Sequence, residues 1–181
     1  RCIMTGISHD NQMLLPQELV DMARKVIEAN AAIRRRFAVA ESCTGGLVSA
    51  ALTEIPGCSA VFEAGFVTYS NAQKNSILGV AHDVLDTFGA VSIATAWAMA
   101  QGALDRTGAD VAVSITGIAG PDGGSELKPV GTVVFARAEQ GKSDENAVAD
   151  LRRFEDKGRA HIRLQAALCA LELLMPEPPA E

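Results

Sequence analysis

Phe37-Ala38-Val39-Ala40-Glu41-Ser42-Cys43-Thr44-Gly45-Gly46-Leu47-Val48-Ser49-Ala50-Ala51-Leu52 changes character twice. The apolar start suits a strand, Gly45-Gly46 punctuates a turn, and Leu47 opens a helix-like pattern. Ser42 therefore sits at a strand-to-helix turn beside a flexible backbone. On this reading the amides of Cys43 to Gly46 are among the unpaired N–H groups of a helix N-terminus, which favour an anion or a developing oxyanion. The same residues equally suit an ordinary N-cap serine or threonine, and this stretch alone does not separate the two.

Working outward, Pro16 to about Arg34 carries Leu19, Val20, Ala23, Val26 and Ile27 at helical spacing. Ala60 to Ser70 is rich in β-branched and aromatic residues and predicts one or two strands, with Gly65 a candidate bulge. Ser70-Asn71 can cap a short helix to Leu78 that carries Lys74, and Ser92 can cap a helix to about Arg106. Asp110 to Thr116 is a further strand, followed by Gly117-Ile118-Ala119-Gly120-Pro121-Asp122-Gly123-Gly124-Ser125. Val130 to Ala138 and Ala147 to Phe154 are strands joined by a polar turn, and Gly158 to Leu174 is a long helix. This alternation predicts a three-layer α/β/α sandwich with a mixed, mostly parallel sheet, in which the last two strands run antiparallel. Both the Ser42 turn and the Gly117 loop would then lie at the carboxyl ends of strands, where ligands bind in open sheets.

The 181 residues suit one domain. It is expected over 16–175, after a poorly ordered leader or cloning remnant at 1–15 and before a tail at 176–181. A net charge of -6 argues against nucleic acid, the short run Arg34-Arg35-Arg36 notwithstanding. Cys2, Cys43, Cys58 and Cys169 form no C-x-x-C pair, which suits free thiols in a reducing, cytoplasmic compartment. No apolar run has the length of a membrane span, and neither a metal site nor a cofactor fingerprint is expected.

A serine nucleophile needs a base. His9, His82 and His161 lack a framing acid or glycine turn, so Lys74 is the better candidate: burial can lower a lysine pKa until it accepts a proton. Tyr69 could relay or position that proton. Residue type alone equally allows a solvated lysine, and Cys43 is a second possible nucleophile beside Ser42. The glycine loop reads either as a backbone nest for phosphate or carboxylate or as a tight surface turn.

Ala40-Glu41-Ser42-Cys43-Thr44-Gly45-Gly46, Gly65-Phe66-Val67-Thr68-Tyr69-Ser70-Asn71 with Lys74, Gly89-Ala90-Val91-Ser92, Gly117 to Gly124, and Lys128-Pro129-Val130-Gly131-Thr132-Val133 together resemble the CinA C-terminal domain family. The resemblance covers about Gln17 to Leu174. It implies a nicotinamide-nucleotide amidase of pyridine-nucleotide salvage, which converts nicotinamide mononucleotide to nicotinic acid mononucleotide and ammonia. It further implies Ser42 as nucleophile, Lys74 as base and Tyr69 as an assisting hydroxyl. Thr44, Gly45 and Gly46 would supply the oxyanion hole, Asn71 would help hold the catalytic group, and Thr116, Gly117 and Gly120 would line the nucleotide site. Arg159 matches the family's substrate arginine, although Phe154-Glu155-Asp156-Lys157-Gly158-Arg159 is a residue longer than the family's usual spacing. A stand-alone form without a preceding molybdopterin-binding-like domain, acting as a homo-oligomer on a small nucleotide, is the corresponding expectation. A non-catalytic nucleotide-sensing or competence-linked binder, and an amidase for another small carboxamide, are the alternatives.

Overall fold

Phe37–Glu41 forms β1, every residue of it buried, and lies between two parallel neighbours. These are β2 (Phe62–Val67) and β3 (Val111–Gly117). The computed structural model describes residues 14–142 and 148–177. Beyond β3 come β4 (Thr132–Glu139) and β5 (Val148–Arg153), each antiparallel to the strand before it. The sheet order is β2-β1-β3-β4-β5, so only β4 opposes the common direction.

Side chains alternate across β1 and sort the helices into two layers. Phe37 and Val39 join the core built with α1 (Gln17–Ala32), α2 (Leu47–Thr53) and α6 (Arg159–Leu173). Ala38 and Ala40 face the core built with α3 (Asn71–Leu78), α4 (His82–Phe88) and α5 (Ile93–Thr107). Burying each large apolar side chain contributes about 1.5–3 kcal/mol relative to leaving it exposed. The expected α/β/α layering and mixed sheet are therefore present.

The predicted caps form: Ser70 accepts from the amide of Gln73 and Ser92 from that of Thr95. The Gly65 bulge is corrected. The irregular register falls between Phe62 and Ala64, which pair with consecutive β1 residues, whereas Gly65 pairs regularly with Val39. Its missing side chain serves packing instead, because a Cβ there would stand 2.0 Å from Ser49 Oγ on α2. The chain leaves β1 toward β2 on one side and β3 toward β4 on the other, so the carboxyl ends of β1 and β3 open onto a common crevice.

Candidate active site

Glu41 ends β1 with its side chain wholly buried, and it organises the turn that follows. Its carboxylate accepts hydrogen bonds from the amides of Gly46 (3.0 Å), Val48 (3.2 Å) and Ser49 (2.8 Å), and from the Ser49 hydroxyl (2.7 Å). A buried anion at the first turn of a helix gains from those otherwise unpaired donors. The Gly45 amide donates to Ser42 O at 3.0 Å. The expectation that the amides from Cys43 to Gly46 stand unpaired is thus corrected at Gly45 and Gly46, and the Cys43 amide turns to its own thiol; that of Thr44 has no partner among the described residues. From α6, Arg163 Nη2 donates to Thr44 O at 2.7 Å and closes the turn from its other side.

Lys74 reaches this turn from α3. It is 1% exposed, and its Nζ lies 3.0 Å from Ser42 Oγ, 2.8 Å from Thr68 O and 3.3 Å from Tyr69 O. Burial lowers its pKa below the ordinary lysine range. A neutral amine has two N–H groups and one lone pair. With the two carbonyls taking the N–H groups, the lone pair is left for the Ser42 hydroxyl proton. Cys43 is the weaker nucleophile here, because burial pushes its thiol pKa up to about 11 and keeps it protonated.

Ser42 and Lys74 open onto a cavity of about 240 Å³ whose wall includes Thr116, Gly117, Gly120 and Arg159. Thr116 Oγ1 donates to Ala90 O at 2.8 Å, tying the end of β3 to the loop before α5. Arg159 spans the cavity mouth: Nη1 donates to Gly120 O at 2.7 Å and Nη2 to the Tyr69 hydroxyl at 2.9 Å. Tyr69 is therefore divided. Its main-chain carbonyl turns in to Lys74, while its side chain, 60% exposed, carries the hydroxyl outward to Arg159.

Seven of the expected site residues thus share one cavity, namely Ser42, Tyr69, Lys74, Thr116, Gly117, Gly120 and Arg159. Thr44, Gly45 and Gly46 lie behind it as its support, and Asn71 is exposed at the start of α3 outside the cavity wall. A larger cavity of about 480 Å³ lies against α3 and α5, but it contains Asp105 and Arg106 rather than a nucleophile paired with a base. Sequence reasoning gave Glu41 and Arg163 no role. The available signals were a carboxylate at a strand end directly before a glycine turn, and an arginine four positions after Arg159 on one helix face. His9 lies outside the described residues; His82 begins α4, and His161 lies on α6. Among the described residues no group of three or more His, Cys, Asp or Glu side chains could hold a metal ion, and no helix is long and apolar enough to cross a membrane.

The chain is thus an α/β protein with a buried serine–lysine pair at the carboxyl ends of parallel strands. The profile of the CinA C-terminal domain matches residues 19–177, and the chain belongs to that family. Over 154 residues it is 49% identical to the nicotinamide-nucleotide amidohydrolase PncC of Enterobacter agglomerans, covering 83% of this chain and 92% of that one. It is 59% identical over 106 residues to a putative competence-damage inducible protein of Symbiobacterium thermophilum, of which the match spans only 25%. The crystal structure of the competence/damage inducible protein CihA from Agrobacterium tumefaciens is similar with a TM-score of 0.85 at 47% identity, covering 90% of this chain and 97% of that one.

Proposed function

We propose that the chain is a nicotinamide-nucleotide amidase that releases ammonia from nicotinamide mononucleotide and leaves nicotinic acid mononucleotide. The observation that carries this reading is the 3.0 Å approach of a buried lysine of lowered pKa to Ser42 Oγ. The name of the similar Enterobacter agglomerans protein supports the substrate. In the first half-reaction Ser42 Oγ attacks the carboxamide carbon while its proton passes to the neutral Lys74 amine. The protonated lysine then gives that proton to the departing nitrogen, which leaves as ammonia, and an ester joins Ser42 to the substrate acyl group. Water attacks the ester, Lys74 takes one of its protons, and the serine oxygen recovers a proton as the acid leaves. Cys43, beside Ser42, is the residue of this turn that lines the cavity, and its amide, which otherwise meets only its own thiol, is the donor offered to the oxyanion.

Arg159, with two of its five N–H groups committed, retains donors for a substrate phosphate. The reaction belongs to pyridine-nucleotide salvage, and free Cys43, Cys58 and Cys169 suit the reducing cytoplasm. Ammonia release measured on nicotinamide mononucleotide beside nicotinamide riboside tests the reading. Turnover of the nucleotide in preference to the riboside is expected, and turnover of neither would sink it.

A further inference from the structure

Tyr69 is an exposed residue of the cavity wall, and its hydroxyl makes no hydrogen bond to Ser42 or Lys74 among the described residues. It accepts an N–H from Arg159 Nη2 at 2.9 Å. An arginine cannot accept, so the phenol keeps its own proton to donate. Gly120 O holds the other arm of the same guanidinium at 2.7 Å, which sets the plane of Arg159 across the cavity mouth.

The charges of the wall are Lys74, Arg159 and Asp122. Lys74 is committed to Ser42 and two carbonyls, and Asp122 repels an anion. Arg159 is therefore the cation on which a phosphate can settle, and the phenol O–H stands beside it. Arg159 and Tyr69 come from α6 and from the loop between β2 and α3, so the pair exists only in the folded chain.

We propose that the Tyr69 hydroxyl is a specificity-determining group that donates to the substrate phosphate together with Arg159, rather than a proton relay at Ser42. The proposal rests on the amidase reading for the identity of the ligand. It divides the residue's work: the main-chain carbonyl orients Lys74, and the side chain recognises the far end of the nucleotide.

Calorimetric binding of nicotinamide mononucleotide and of nicotinamide riboside to the Ser42→Ala protein, alone and with Tyr69→Phe, tests this. Because Tyr69 is exposed, the phenylalanine variant folds, and a thermal melt checks it. Tyr69→Phe is expected to cut the preference for the phosphorylated ligand about tenfold, the weight of one hydrogen bond to a charged group. In the otherwise unaltered chain, the Tyr69→Phe defect in ammonia release should appear in KM for the nucleotide. An undiminished preference, equal weakening of both ligands, or a matching fall in kcat for both substrates overturns the proposal. If the unaltered chain releases ammonia while the preference survives Tyr69→Phe, this proposal falls and the amidase reading stands. A reduced preference in a chain that releases no ammonia upholds the phosphate contact and removes the amidase reading.

Discussion

Lys74 Nζ and Ser42 Oγ meet at 3.0 Å although 32 positions of chain separate them, one arriving on α3 and the other at the end of β1. The pair is buried and opens on one side to the cavity. Lysine at that point is costly to desolvate, and burial lowers its pKa below the ordinary lysine value.

Replacing Lys74 with Met should lower ammonia release by about 10²–10⁴-fold, the usual weight of a positioned general base. A melting temperature close to that of the parent would show that the loss is chemical. Retained turnover in a folded Lys74→Met protein would place the base elsewhere.

The pH dependence has a definite sign. Burial sets the folded pKa of Lys74 below its ordinary value of 10.5, so between the two values the unfolded chain binds more protons and stability rises with pH. Below the folded value both states carry the charge, and the desolvation penalty is fully present. Activity should follow the neutral amine, with kcat/KM rising with pH and levelling off above the depressed value. A pH–rate profile and melts across the same range check both, and Lys74→Met should flatten this part of the stability profile.

Glu41→Ala should destabilise the fold by about 3 kcal/mol, because it strips four donors of a buried charged acceptor. Glu41→Gln keeps one acceptor oxygen and should lose less. Urea unfolding separates the two, and equal stability of all three proteins would mean that the carboxylate does not hold the turn.

Gly65→Ala should cost about 1–3 kcal/mol, since its Cβ would meet Ser49 Oγ at 2.0 Å and Ser49 Cβ at 2.9 Å. The displaced helix carries the Glu41 partners, so activity should fall with stability. A crystal structure of the variant should show α2 shifted from β2.

Cys43 should resist alkylation by iodoacetamide at neutral pH, as its thiol is buried and its pKa is pushed up to about 11. Rapid inactivation accompanied by a Cys43 adduct would contradict this.

Local physics made much of the fold legible. The apolar run at β1, the glycines after it and the serine caps of α3 and α5 are all short-range signals. They place two loops at strand ends without saying what those loops touch. Lys74 illustrates the gap: by residue type it suits solvent, and only the packing of α3 against the end of β1 makes it a core residue. Glu41 was hidden for the opposite reason. Its partners are near in sequence, but they are backbone amides, and no side-chain pattern announces them. The outward turn of the Tyr69 hydroxyl depends on Arg159, 90 positions away, and lay beyond any local reading.

The central claim, that Ser42 is the nucleophile, is tested most directly by rapid acid quench of the protein turning over nicotinamide mononucleotide, followed by peptide mass spectrometry. A nicotinate-nucleotide ester on the Ser42 peptide, absent from Ser42→Ala, is the predicted result. An ester on Cys43, or undiminished ammonia release by Ser42→Ala, would contradict it.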